Sequence, residues 1–284
     1  MELTFKEFLR GGKEQLTAAG YPEVDAEHLL AHVLGISRME LHNPLTIENA
    51  INAIGDITVI EETFWKLLDR RSAHEPLQYL TGTAYFRYLE LQVGPGVLVP
   101  RPESELLVEV VLKNIESHIG AVSVVDLGAG SGALTLAIAT EAPNTHLIAV
   151  EKDPAAVEWL RKNVSRIDET VRILESDVAT ALDGVKCDVV IANPPYIPNN
   201  QELPKDVAEH EPSVALFGGP DGMDIPRQFI EAAARLLKSG GFFAIEHHES
   251  HPAAIADEMS AEFEDIKSHH DLVGRPRFTT GIRR

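Results

Sequence analysis

The 284-residue chain carries a net charge of −19 and is 44% hydrophobic. That composition fits one large globular domain, or a domain with a smaller companion. The acidity argues against a broad electrostatic grip on nucleic-acid phosphates. The lone cysteine, Cys187, excludes an internal disulfide and suits a reducing compartment. There is no apolar run of signal-peptide or membrane-span length, so a soluble cytoplasmic protein is expected.

Residues 1–75 read as a small helical bundle. Phe5, Phe8, Leu9 and Leu16 recur at helical spacing, with Thr4 and Glu7 placed as a capping pair. Gly20-Tyr21-Pro22 breaks the pattern. A second helix starts at Asp25, carries Leu29, Leu30, Val33 and Leu34 on one face, and ends near Gly35. A short piece follows at Arg38–Leu41, then a helix from Val59 to Arg71 with Phe64, Trp65, Leu67 and Leu68.

Residues 76–102 change character. Phe86–Val93 alternates as a strand, Gly94-Pro95-Gly96 turns the chain, and Val97–Val99 runs back. This predicts a β-hairpin linking two domains. Arg101 lies between Pro100 and Pro102, whose locked backbone marks it as a placed side chain.

From residue 103 to 284 helices and strands alternate. Helices are expected at 105–118, 133–141, 155–164, 225–237 and 252–259. Strands are expected at 122–127, 147–151, 171–174, 189–192 and 242–246, with a terminal pair around Ile266 and Phe278. Such alternation implies an α/β fold with a mostly parallel, doubly wound sheet and right-handed crossovers.

Two strand ends carry chemistry. After the first strand, Asp126-Leu127-Gly128-Ala129-Gly130-Ser131-Gly132 opens a helix. Its glycines let the backbone turn tightly and approach a ligand, and the helix N-terminus offers free N–H groups. Glu151 ends the next strand, where a Rossmann unit keeps the carboxylate that binds ribose hydroxyls. Gly128-x-Gly130-x-x-Ala133 also fits a dinucleotide fingerprint, so an NAD-type enzyme competes at this point. Three features favour S-adenosylmethionine: Asp126 is placed to meet an amino-acid ammonium, Gly132 extends the glycine run, and Asp177 is placed to accept from an adenine amino group.

The second strand end is Val189–Ala192 running into Asn193-Pro194-Pro195-Tyr196. Two prolines cannot continue a strand, because neither has an N–H to give. The chain must leave the sheet at Asn193, where open α/β sheets keep their ligand crevices. The Asn193 side-chain carbonyl and the Pro194 carbonyl can hold the two hydrogens of an –NH2 group, with Tyr196 stacking on a flat neighbour. His247 and His248 precede Glu249, but adjacent strand residues face opposite ways, and no metal is expected.

Together the glycine loop and the Asn-Pro-Pro-Tyr turn resemble the class I methyltransferases that modify amino groups in planar systems. Further pieces narrow the likeness: Gln78-Tyr79 with Gly82, Leu98 to Glu105, Glu211-Pro212 with Ala215-Leu216, Gly218-Gly219-Pro220-Asp221-Gly222, and Asp271-Leu272 with Gly274-Arg275 and Arg277. In this order, from residue 76 onward, they resemble the peptide chain release factor glutamine N5-methyltransferases, the PrmC/HemK family. Ser104 stands where that family usually has threonine, and Glu151 where it often has aspartate.

The resemblance implies a Rossmann-like methyltransferase sheet behind an N-terminal helical bundle. It implies S-adenosylmethionine held by Asp126, Gly128, Ala129, Gly130, Ser131, Gly132, Glu151, Asp177, Val178 and Asn193. Its substrate would be the glutamine of the Gly-Gly-Gln loop in bacterial class 1 release factors. That glutamine would be held by Asn193, Pro194, Pro195 and Tyr196, with Phe86 and Arg101 walling the pocket. The helical bundle would grip the release factor away from the site; no membrane and no direct nucleic acid are implied. The competing readings are a nucleic-acid amino-group methyltransferase, acting on adenine N6 or guanine, and a non-catalytic S-adenosylmethionine-binding protein. An intact Asn193 and Tyr196 speak against the latter.

Overall fold

The computed structural model describes residues 5–284, so the Thr4–Glu7 capping pair lies outside the described residues. Contacts divide the chain into two compact units. A helical unit runs to Gly82 and takes in Leu203–His210; the second comprises Thr83–Glu202 and Glu211–Arg284.

The helical unit contains α1 (Phe5–Ala18), α2 (Val24–Leu34), α3 (Pro44–Ile54), α4 (Ile57–Ser72) and α5 (Leu77–Thr81), with a 3-10 turn at Arg38–His42. Phe8, Leu16, Leu29, Leu30, Phe64 and Leu68 form its core. Gly12 lets α1 approach α4: a Cβ there would sit 2.7 Å from the Phe64 ring. Helix α3 is not among the expected helices; it buries no residue fully, and Ala50 and Ile51 of its Ile47-Ala50-Ile51-Ile54 stripe pack only partly buried against the core. Local chemistry bounds it at both ends. The Asn43 side chain accepts from the Leu45 N–H, Pro44 takes the first turn, and Gly55 closes it at φ 82°.

A buried ion pair crosses this unit. Arg71 Nε donates to Asp25 Oδ2 at 2.9 Å, and its guanidinium stacks 3.7 Å from the Tyr21 ring centroid.

The second unit opens with a hairpin of β1 (Thr83–Phe86) and β2 (Leu89–Gln92), paired from Thr83↔Gln92 to Phe86↔Leu89. This corrects the expected hairpin. The reversal falls at Arg87-Tyr88, not at Gly94-Pro95-Gly96, and Val97–Val99 is not a strand. Arg87 holds a left-handed φ of 51° that sequence alone does not favour. Tertiary bonds fix it: its N–H donates to Glu105 Oε1 at 2.9 Å and its guanidinium clamps the Glu141 carboxylate at 2.5 and 2.7 Å.

Beyond the hairpin come α6 (Ser104–Glu116), β3 (Val122–Leu127), α7 (Ala133–Glu141), β4 (Thr145–Glu151), α8 (Pro154–Ile167), β5 (Arg172–Glu175) and β6 (Cys187–Ala192). They are followed by α9 (Asp224–Leu236), β7 (Leu237–Glu246), α10 (Pro252–Met259), β8 (Phe263–His270) and β9 (Pro276–Arg283). The seven-stranded sheet has the order β5-β4-β3-β6-β7-β9-β8, parallel except for β9, which runs antiparallel to both its neighbours. The expected α/β fold is borne out.

Alternate residues feed two apolar layers. Val124, Ala149, Val189, Ile191 and Ala244 pack on one face. Val125, Val150, Val190, Ala192 and Ile245 pack on the other. Both faces are covered, as a parallel sheet requires. The order reverses between β3 and β6, where Leu127 lies opposite Ala192. Gly128 and Asn193 therefore leave the sheet side by side at its switch point.

Arg71→Met leaves Asp25 buried without its partner. The expected loss is on the order of 3–5 kcal/mol in urea unfolding of the helical unit, recovered in large part by adding Asp25→Asn.

Candidate active site

The switch point opens a cleft of about 190 Å³, lined among others by Gly128, Gly130, Glu151, Val178, Asn193 and Pro195, with Val97, Phe217 and Phe229 supplying apolar walls. Two glycines of the loop have structural grounds for their identity. A Cβ on Gly132, at φ 86°, would lie 2.7 Å from Leu160 Cδ1. Gly130, at φ 55°, faces open space where a side chain would fill the cleft. Ala129 and Ser131 are buried within the loop, and the Ser131 carbonyl accepts from Asn163 Nδ2 at 2.9 Å.

Glu151 organises this loop while bordering the cleft. Its Oε2 accepts from the Gly130 N–H at 2.9 Å, and its Oε1 accepts from the N–H groups of Lys152 and Asp153 at 2.7 and 2.9 Å. Val178 lies on the wall. Its neighbour Asp177 does not; there Oδ1 accepts from the Ala179 N–H at 2.9 Å, and Lys152 Nζ lies 3.6 Å from Oδ2.

Asp126 sits behind the loop, at 0% exposure. Its Oδ2 accepts from the Thr135 N–H at 3.1 Å and from the Thr135 hydroxyl at 2.5 Å, while Oδ1 is buried without a hydrogen-bond partner. The carboxylate thus pins the start of α7 and stays off the cleft wall.

The Asn-Pro-Pro-Tyr turn is held from beneath. Asn193 Nδ2 donates to Ser104 Oγ at 3.1 Å. Ser104 Oγ donates to Glu246 Oε2 at 2.5 Å, and the Tyr196 hydroxyl donates to Glu246 Oε1 at 3.0 Å. Glu246 is 1% exposed, and burial raises its pKa above the ordinary carboxylate value while the Arg277 charge opposes the shift. Burial, reinforced by Glu246, pushes the Tyr196 hydroxyl well above its usual value. The Tyr196 hydroxyl is therefore a committed donor.

The glycines at 218–222 explain themselves here. Gly218 N–H donates to the Ile197 carbonyl at 2.9 Å. A Cβ on Gly218 would come within 2.7 Å of the Pro195 carbonyl, and one on Gly222 within 2.4 Å of the Tyr196 carbonyl. Backbone therefore presses directly against the turn.

Arg101 is anchored, its Nη2 donating to Glu211 Oε1 at 2.8 Å. Phe86 does not wall the cleft as expected. It is 1% exposed within the core that also holds Leu89, Leu91 and Leu107, because β1 turns it inward. Ser104 and Glu246 escaped the residue-by-residue reading as members of the site. The signal for Glu246 was present: an acid closing the apolar strand Phe242–Ile245, at the same sheet edge as Asn193.

Residues 7–82 match the PrmC N-terminal domain family, and residues 102–210 match the methyltransferase small domain family. The release factor glutamine methyltransferase of Mycolicibacterium smegmatis is 42% identical, covering 94% of both chains. The enzymes of that name from Streptomyces coelicolor and Moorella thermoacetica are 40% and 36% identical, covering 94% and 99% of both chains. The chain belongs to the release factor glutamine methyltransferase family. It is thus a methyltransferase, and the nicotinamide reading of its glycine loop is set aside.

Solved structures give the fold of this family a wider setting. A Thermus thermophilus 16S rRNA N2 G1207 methyltransferase, in complex with AdoMet and guanosine, superposes with TM-score 0.52 at 24% identity, over 71% of this chain and 50% of that one. A methyltransferase from Pyrococcus furiosus gives 0.52 at 21%, over 69% and 88%. At these identities the likeness is one of fold.

Burial raises the Asp126 carboxyl from 3.8 to about 7, against the two Thr135 bonds that lower it. The folded chain therefore keeps a proton that the unfolded chain releases. This contribution to stability is full below pH 3.8 and is lost as pH rises to about 7. Asp126→Asn removes the dependence, so its Tm relative to the native chain should climb between pH 5 and pH 8; a difference flat with pH counts against the buried proton.

Proposed function

We propose that the chain transfers a methyl group from S-adenosylmethionine to the side-chain amide nitrogen of glutamine, in the Gly-Gly-Gln loop of bacterial class 1 release factors. One observation carries this reading: Asn193 spends an amide hydrogen on Ser104, inside the protein, at a position that also borders the cleft. Its Oδ1 is left as an acceptor for a substrate that brings N–H groups.

The residues suit the cofactor. Glu151 keeps lone pairs beyond its three backbone bonds, enough to accept from ribose hydroxyls. The open space above Gly130 and the apolar contact of Val178 suit a nucleoside, with Asp177, beside Val178 but off the wall, as the acceptor for its amino group. Ala129, Ser131 and Gly132 hold the loop in shape, and Asp126 acts through Thr135 and the start of α7. When bound, S-adenosylmethionine supplies an electrophilic methyl group.

A carboxamide nitrogen is a poor nucleophile, because its lone pair is delocalised into the carbonyl. No side chain at the turn is placed to deprotonate it. The chain's part is positioning: Asn193 Oδ1 and the Pro194 carbonyl accept the two amide hydrogens and aim the nitrogen. Pro195 fills the adjoining wall, Tyr196 holds the far end of the turn, and Arg101 stands anchored nearby. Such alignment is worth on the order of 7–11 kcal/mol in favourable cases.

Asn193→Ala is expected to leave S-adenosylmethionine affinity unchanged by calorimetry and to lower kcat roughly tenfold or more, the cost of one aligning hydrogen bond. The assay is mass spectrometry of a tryptic peptide from purified release factor, with DNA and RNA as alternative acceptors. Methylation of nucleic acid alone overturns the substrate.

The helical unit is the proposed docking element for the release factor. Met39, Leu45 and Val59 expose 67%, 70% and 50% of their surface. Met39→Asp with Leu45→Asp should raise KM for release factor several-fold and leave KM for S-adenosylmethionine alone; equal KM for release factor denies the unit that role.

A further inference from the structure

A buried carboxylate that no catalytic step uses needs an account. Glu246 is 1% exposed and ends β7. Its two oxygens serve opposite ends of one tetrapeptide: Oε2 reaches Asn193 through the Ser104 hydroxyl, and Oε1 takes the Tyr196 hydroxyl directly.

The direction of each hydrogen follows from the groups available. The Ser104 and Tyr196 hydroxyls, one on each oxygen, and the Arg277 charge oppose the push of burial and favour the ionised form of Glu246, which only accepts. Ser104 must then give its one hydrogen to Glu246, which leaves only its lone pairs facing Asn193. An acceptor-only Ser104 selects the –NH2 end of Asn193, and the carbonyl end is turned away from it. In isolation the two amide orientations are nearly equal in shape, so packing alone would not choose between them.

We infer that Glu246, relayed by Ser104, is the positioning residue that fixes Asn193 as a hydrogen-bond acceptor and so restricts the site to nitrogen nucleophiles that carry hydrogens. This rests on the proposed role of Asn193. A relay through a hydroxyl needs only that hydroxyl, which agrees with serine here in place of the threonine usual in the family.

Glu246→Gln tests it with little change of shape. The introduced amide donates at one end; given to Ser104, that hydrogen reverses the relay and turns the Asn193 NH2 toward the cleft. The expected result is a kcat at least tenfold lower on purified release factor, with KM for S-adenosylmethionine within twofold and an unchanged circular dichroism spectrum. Ser104→Ala should show the same split, and Ser104→Thr should restore kcat to within twofold. Because the two residues act in one chain, the double variant Glu246→Gln/Ser104→Ala should be little worse than either single variant.

If Glu246→Gln fails to fold, Ser104→Ala and Ser104→Thr carry the test. Native kcat in Ser104→Ala, or losses that multiply in the double variant, overturns the relay. Failure of the underlying reading looks different: there the native chain leaves release factor unmodified, or Asn193→Ala turns over normally.

Discussion

A carboxylate taken out of water must be compensated, and Glu246 is compensated by two hydroxyl donors and the nearby Arg277 charge. Both hydroxyls belong to the cleft region: Ser104 opens α6, and Tyr196 closes the turn after β6. The arrangement therefore ties three strand and helix ends to one point. Remove the charge and nothing local would keep the Asn193 amide facing one way. An apolar residue at 246 would fill the volume, yet it would leave two buried hydroxyls without acceptors.

The turn is also confined from the side. Gly218 and Gly222 pass so close that a Cβ on either would meet the Pro195 or Tyr196 carbonyl, and the two prolines lock their own φ angles. On the other edge of the switch point, Glu151 holds Gly130 through its N–H. The cleft thus lies between two loops tied down by carboxylates of the same unit, one through backbone N–H groups and the other through side-chain hydroxyls. This is the preorganisation that a positioning mechanism requires, since an amide nitrogen gains little from a loosely held acceptor.

Much of this was legible in the sequence, and the failures have causes. The glycine loop and Asn193-Pro194-Pro195-Tyr196 could be placed at strand ends because their flanking β-branched runs are unambiguous. Strand β3 and helices α7 and α10 also fall on the expected residues. The hairpin was misread because Arg87 adopts a left-handed turn through Glu105 and Glu141, partners distant in the chain. Helix α3 was legible too, in the Asn43-Pro44 start, the Gly55 stop and the Ile47-Ala50-Ile51-Ile54 spacing, yet its stripe is short and only partly buried. The resemblance places Phe86 on the wall, whereas the alternation of β1 turns it into the core. Glu246 needed the register of β7 beside β6, which no single segment contains.

Strand β9 lies between β7 and β8, and Phe278 sits opposite Glu246 in the ladder. The His247 N–H donates to the Arg277 carbonyl at 2.8 Å, and its ring bonds the Thr279 hydroxyl at 2.9 Å. The edge that seats Glu246 is therefore built from residues 276–283, which come after both the glycine loop and the turn in chain order. A nascent chain can form the glycine loop and the turn after β6 early, yet it cannot close the seat beneath them until residues 276–283 have been made. A chain that stops short of β9 would therefore keep the glycine loop and the turn and lack the strand that seats Glu246.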